Sequence, residues 1–302
     1  MKGKLRSTAC ILLATLIWGT AFVAQSVGMD HIGPFTFQTV RCALAVIGLL
    51  PVVLIADKLQ KKGSGFWRRW LDKKLWKAGL LCGIPLFFAC NLQQLGLAGD
   101  TDAGKSGFLT AMYIVIVPVL GIFLKRKPTV MVPISVSLAV AGLYFLSFAG
   151  VPQVSTGDLL TLACAFMFAV QILCVDLFAQ EVDPLRLNTI QALVGSVLAF
   201  FVMLLTETPT LAGITACAVP LAYTGFLSMG AAYSLQILGQ KGLEPTAASL
   251  IMSMEAVVAV LAGWLLLGER FSFQEGIGCV LVFIAVILSQ LPVPIKKKQE
   301  VS

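Results

Sequence analysis

The chain has 302 residues, 58% of them hydrophobic and 12% charged, with a mean hydropathy of +0.91 and a formal net charge of +7. Soluble domains carry about 25% charged residues, so this chain has too few charges to cover a water-facing surface. The positive excess does not indicate nucleic acid, because the basic residues lie between long apolar runs rather than along one polar face.

Runs of roughly 18 or more apolar residues read as membrane-spanning helices. They predict helices at 7–28, 33–56, 75–97, 103–124, 129–149, 156–179, 184–206, 214–238, 245–267 and 272–291. The first is too long for the apolar core of a signal peptide, and another span follows at once, so it is expected to be retained. Between the second and third lies "DKLQKKGSGFWRRWLDKK" at 57–74, a basic and aromatic linker expected along the membrane surface. The other connections are short. The eight cysteines all fall inside apolar runs and form no CxxC pair, which reads as packing rather than a disulfide or zinc framework.

Lysine and arginine counts orient the chain. With the N-terminus cytoplasmic, inside segments carry 19 of the 22 basic residues and outside segments only Lys105 and Arg270, while Arg41 lies within a span. Cytoplasmic loops collect positive charge, so both termini are expected inside the cell.

Ten spans invite a search for two halves. A shift of 150 lays "IGPFTFQTVRCALAVIG" over "VDPLRLNTIQALVGSVL", pairing Gln38 with Asn188 and Arg41 with Gln191. A shift of 142 pairs Asn91 with Tyr233, Gln94 with Gln236 and Tyr113 with Glu255. The expected organisation is an all-α membrane protein of two five-helix repeats, 1–149 and 150–291, followed by a basic cytoplasmic tail at 292–302. Five helices per half make the second repeat enter from the opposite side, a design that places a transport site near the midplane.

Residues three or four apart share a helix face. Polar faces of this kind are Gln38 with Arg41, Asn188 with Gln191, Asn91 with Gln94, Ser106 with Thr110 and Tyr113, and Tyr233 with Gln236. Trp18 runs along the first helix with Phe22 and Gln25, and Gln171 is the mid-helix polar residue of the sixth. The fifth and tenth helices carry almost nothing comparable, which predicts eight helices around a polar path and two outside it. The bland alternative is that these groups hydrogen-bond between helices and hold the bundle together. Glu255 is ten residues past Pro245, about 15 Å deep at ~1.5 Å per residue. A charge at that depth costs at least ~2.5–3.5 kcal/mol. Either it carries a proton or bonds within the bundle, or it faces water, a substrate or a cation.

With "WGTAFV" at 18–23, Pro34 with Arg41, "GKSGFLTAMYIVIVPVLG" at 104–121 and "EPTAASLIMSMEAVVAVLAGWLLLGER" at 244–270, the chain resembles the EamA-like family of the drug/metabolite transporter superfamily over essentially its whole length. The resemblance implies a ten-helix inverted-repeat transporter, with a cavity lined by helices 1–4 and 6–9 and helices 5 and 10 peripheral. Its members move amino acids, other small metabolites or drugs, usually outward in bacteria. Two departures stand out. Lys125-Arg126-Lys127-Pro128 replaces the Gly-Glu-Arg that often ends the fourth helix, and Ala256 stands where a proline often follows the glutamate, which predicts a less kinked ninth helix.

The expected function is therefore secondary transport, with export the favoured direction, by alternating access across the plasma membrane of a bacterial cell. No catalytic residue, metal or cofactor is expected; the partners are the lipid bilayer, a small-molecule substrate and, as an open alternative, a coupled proton or cation. A channel, an intramembrane enzyme or a sensor is the alternative. The only histidine, His31, is placed in a loop away from any nucleophile, no P-loop motif is present, and no loop is long enough to fold as a domain.

Overall fold

A bilayer offers no water to the backbone, so every peptide group must find its partner within the protein, and helices achieve this locally. The computed structural model, which describes residues 2–60, 65–99, 101, 103–125, 131–147, 155–267 and 272–290, contains only helices as regular elements among those residues. The expectations for residues 61–64, for Arg126-Lys127-Pro128, for Arg270 and for the tail at 292–302 lie outside the described residues.

The elements are α1 (Lys2–Met29), α2 (Pro34–Leu59), α3 (Phe66–Trp70), α4 (Lys73–Ala98), α5 (Ala103–Ala111), α6 (Tyr113–Phe123), α7 (Met131–Ser147), α8 (Thr156–Phe178), α9 (Pro184–Thr206), α10 (Leu211–Ala216), α11 (Ala218–Ala222), a π-helical stretch (Tyr223–Ala232), α12 (Tyr233–Gln240), α13 (Pro245–Met252), α14 (Met254–Ala262), a second π-helical stretch (Gly263–Leu267) and α15 (Phe273–Gln290). Among the described residues, seven helices are long and apolar enough to cross a membrane, and α7 and α15 contain shorter apolar helices. The expected eighth span, 214–238, is not one helix but four pieces over 211–240. Pro220 has no N–H for the carbonyl of Ala216, and α10 ends at that residue.

Burial runs opposite to that of a soluble protein. Leu205 is 85% exposed and Phe201 59%, whereas Gln38, Gln171 and Asn188 are fully buried. An apolar exterior around a polar interior is the arrangement lipid requires.

Two helices break beside the interior. α5 gives way to α6 at Met112, one residue before Tyr113, and α13 gives way to α14 at Ser253, two before Glu255. The expectation of a straighter ninth helix is corrected: the break is present without a proline. Ser253 donates its hydroxyl hydrogen to the carbonyl of Leu250 (2.8 Å), a local bond that competes with the helix ladder.

Close approaches at glycines set the packing register. A Cβ on Gly83 would lie 2.8 Å from Cβ of Val194, and one on Gly225 would lie 2.7 Å from Cβ of Leu44. These contacts correspond at offsets of 142 and 150. Further along, Gly96 meets the carbonyl of Gly157 and Gly239 that of Ser7, each 2.9 Å from an added Cβ. The offset is now 143 on one side and still 150 on the other. One extra residue therefore enters between Gly225 and Gly239, and the π-helical stretch 223–232 accommodates it, since π geometry inserts a residue without interrupting the helix. Asn188 supports that stretch, donating from Nδ2 toward the carbonyls of Met229 (3.0 Å) and Gly230 (2.8 Å) and to Oγ of Ser234 (2.8 Å).

α7 and α15 pack on each other at Gly142, where an added Cβ would lie 2.8 Å from the backbone N of Val282. Their inner faces, Ala139, Leu143, Val282 and Ala285, join an apolar cluster with Ile251 and Val260 from α13 and α14. The linker expected to lie along the membrane surface folds back in part: α3 places Phe66 and Trp70 against the Arg186 guanidinium, 5.7 and 5.4 Å from the ring centroids, while Trp67 remains 77% exposed.

Candidate functional site: an interior polar cavity

The interior polar groups meet in one cavity, lined by Trp18, Phe22 and Gln25 from α1, Arg41 from α2, Cys90 and Gln93 from α4, Thr110 and Tyr113 from α5 and α6, Phe168, Gln171 and Ile172 from α8, Ser228, Tyr233 and Gln236 from the 223–240 segment, and Met252 and Glu255 from α13 and α14. Neither α7 nor α15 contributes. About 40 Å³ is open to the centre of a water molecule, room for roughly three waters at ~10–15 Å³ each.

The wall repeats itself. At an offset of 150, Trp18 corresponds to Phe168 and Phe22 to Ile172; at 143, Cys90 to Tyr233 and Gln93 to Gln236; at 142, Thr110 to Met252 and Tyr113 to Glu255. Tyr113 donates its hydroxyl hydrogen to Oε1 of Glu255 (2.8 Å), so these two corresponding residues touch. Glu255 is 5% exposed, and no cation pairs with it among the described residues.

Arg41, 2% exposed, donates from Nε to Oε1 of Gln38 (2.6 Å) and from Nη1 to Oε1 of Gln25, and its guanidinium lies 5.6 Å from the Phe37 ring centroid. No carboxylate pairs with it among the described residues. The corresponding Gln191 donates to Oδ1 of Asn188 (2.8 Å) and accepts from Gln171 (3.4 Å), which in turn accepts from Gln236 (3.1 Å). Trp18 and Tyr233 rings sit 4.9 Å apart, and Nε1 of Trp18 and Oε1 of Gln236 are buried with no hydrogen-bond partner. Buried polar atoms are nearly always partnered, and these two, without a partner among the described residues, belong to side chains on the cavity wall. Among the described residues no cluster of metal-ligating side chains occurs.

Of the residues singled out in the sequence, Glu255, Arg41, Tyr113, Thr110, Gln236, Tyr233, Gln171 and Trp18 line this cavity. The other six do not. Gln38, Gln191 and Asn188 stand behind the wall and hold Arg41, Gln171 and the π-helical stretch. Asn91 turns to the carbonyl of Phe87 (2.7 Å), Gln94 to that of Gln25 (3.4 Å), and Ser106 is buried away from the cavity. The pairings of Asn91 with Tyr233 and Gln94 with Gln236 are corrected by one residue: Cys90 and Gln93 take those places, because the π-helical stretch advances the register. Gln93 donates to Oγ1 of Thr110 (3.0 Å).

Sequence reasoning also missed Asp57, which accepts from Arg186 Nη2 and from Arg69 Nη2 (3.0 Å). The available signal was the offset of 150, which lays Asp57 over Glu207. Glu207 accepts from the backbone N–H groups of Phe35 (2.9 Å) and Thr36 (2.8 Å) and from the Thr36 hydroxyl (2.6 Å).

Comparison with known proteins places this architecture. Residues 6–148 and 155–291 each match the EamA-like transporter family. A protein of Archaeoglobus fulgidus named as an uncharacterized transporter is 30% identical over 291 residues, covering 94% of this chain and 85% of the relative. The uncharacterized transporter YoaV of Bacillus subtilis strain 168 is 25% identical over 292 residues, covering 92% of this chain and 94% of its own. A solved crystal structure at 19% identity shares the fold, with a TM-score of 0.74 over 94% of this chain and 97% of the other. The chain belongs to the EamA-like transporter family and is a multi-pass helical membrane transporter.

Proposed function

We propose that this transporter carries a small polar metabolite, an amino-acid-like solute or a related drug-like molecule, out of the cell across the plasma membrane by alternating access. The observation that carries the reading is a buried guanidinium and a buried carboxyl group, Arg41 and Glu255, without ionic partners among the described residues and on the wall of one cavity. In its charged form each costs at least ~2.5–3.5 kcal/mol in a bilayer interior. A solute carboxylate at Arg41 and an amine at Glu255 would complete both; a proton or metal cation at Glu255 would couple transport to an ion gradient. The Trp18 and Tyr233 rings offer apolar contact between them. A cavity with room for only a few waters has to widen to admit such a solute, which supports a cycle that opens it to one face at a time.

In this reading the chain spans the membrane ten times, as repeats 1–149 and 150–291 around the cavity, with both termini cytoplasmic. The fragmented 211–240 segment and the shorter α7 and α15 are the three spans beyond the seven long ones. The basic excess on the α3 side supports the orientation. The chemistry on the wall is binding chemistry, and the reading is of a transporter and not an enzyme.

The test is a metabolite screen in proteoliposomes, with and without a pH gradient. Zwitterionic solutes are expected to be transported, and Glu255→Gln to abolish uptake or remove its pH dependence while the protein still inserts. Unchanged uptake and unchanged pH dependence in Glu255→Gln would overturn the role of Glu255.

A further inference from the structure

The cavity lies between two joints that the same two helices make with each other. α2 and α9 run antiparallel, with Oγ of Ser196 donating to the carbonyl of Thr39 (3.0 Å) between their ends. At one end Asp57, in the last turn of α2, grips Arg186 in the first turn of α9. At the other, Glu207, just past the last turn of α9, grips Thr36 in the first turn of α2. An offset of 150 turns Asp57 into Glu207 and Thr36 into Arg186, so the joint is one device built twice with unlike donors. The first is ionic and buried, Asp57 at 6% and Arg186 at 2% exposure, and Arg69 of α3 joins it. The second joins a half-buried carboxylate to two backbone N–H groups and a hydroxyl. Both are made at once in this structure.

We propose that Asp57–Arg186 and Glu207–Thr36 are the two latches that close the cavity at opposite faces of the membrane, each released when its own face opens. The carboxylates suit this task. Leaving the buried Asp57 without hydrogen-bond partners is costly, so that joint is either made or replaced by water entering a vestibule, and the half-buried Glu207 exchanges its donors for water in the same way. Each face carries a further ion pair, Lys105 to Asp158 (2.5 Å) at the Glu207 face and the more exposed Lys74 to Glu181 (3.1 Å) at the α3 face; the buried ionic joint at Asp57 is the stronger of the two latches, so releasing Glu207 opens its face less. The proposal rests on the alternating-access reading.

Cys90, on the cavity wall, reports the opening. In a variant that keeps Cys90 and replaces the other seven cysteines with alanine, a membrane-impermeant maleimide is applied from either face of oriented vesicles. Asp57→Asn is expected to raise labelling from the α3 face by at least about tenfold, since a broken buried pair is worth several factors of ten in an equilibrium. Glu207→Gln raises labelling from the opposite face, by less. Arg69→Gln, which spares Arg186, gives a smaller rise at the α3 face and serves if Asp57→Asn does not fold. Labelling that is unchanged in these variants, or that rises equally from both faces, overturns the latches. Because labelling needs no substrate, a failed latch with Glu255-dependent uptake intact leaves the transport reading standing, and selective labelling without uptake of any solute does the reverse.

Discussion

α4 and the 211–240 segment fill corresponding places on the two sides of the cavity, yet they are built differently. α4 is one uninterrupted helix from Lys73 to Ala98 despite Pro85, and it presents Cys90 and Gln93 to the interior. Its counterpart is broken at Cys217, passes through ten residues of π-helix, and presents Tyr233 and Gln236. One inserted residue would turn the following face of a plain α-helix by about 100°, and the π-helical stretch absorbs that turn. The comparison teaches that the two walls are alike in position and unlike in chemistry: thiol against phenol at 90 and 233, and tyrosine against glutamate at 113 and 255, while Arg41 reaches the wall and its counterpart Gln191 stands behind it. Unlike groups at related positions let the cavity meet an asymmetric solute.

The largest effect should come from making the two segments geometrically alike. Deleting Leu227, a half-exposed residue of the π-helical stretch, removes the extra residue, leaves Tyr233 and Gln236 in the places that match Cys90 and Gln93, and takes from Asn188 the carbonyls it holds. Uptake in proteoliposomes should be lost, while the intact α4 half should leave the protein able to insert and run as a single species. Retained uptake would mean that the π-helical stretch and its contacts with Asn188 do not matter for transport.

A smaller effect follows from making the charges alike. Arg41→Gln copies the residue at 191 and should weaken binding of carboxylate-bearing solutes by about 2–5 kcal/mol, the usual cost of losing one partner of a buried charged contact. Competition assays should show the loss only for solutes that carry a carboxylate; an equal loss for neutral ones would point to a collapsed cavity.

The smallest effect separates neighbours. Gln93→Ala should raise KM about fivefold, the equivalent of one net hydrogen bond near 1 kcal/mol, whereas Gln94→Ala should leave KM unchanged and lower only thermal stability. The reverse result would restore the register of the plain 142-residue offset.

Much of this was legible in the chain. Ten apolar runs, the basic segments between them and the polar faces on α2, α4, α5, α9 and α12 follow from period and composition, because lipid penalises any other distribution. Eight of the fourteen residues singled out in the sequence line the cavity, Glu255 and Arg41 among them. The six others share a cause. Polar periodicity reports that a helix face is buried in the bundle, but Gln38, Asn188 and Gln191 use that burial to hold their neighbours, and the alphabet is the same for both tasks.

What the sequence determined by itself was the membrane, the helices and the existence of a polar interior, since these depend on transfer energies summed along contiguous residues. Which polar groups share one cavity was decided only in three dimensions. A single residue absorbed in a π-helical stretch, a hydroxyl bonded back to Leu250, and carboxylates at Asp57 and Glu207 that reach their partners 129 and about 171 residues away depend on contacts that no local pattern records.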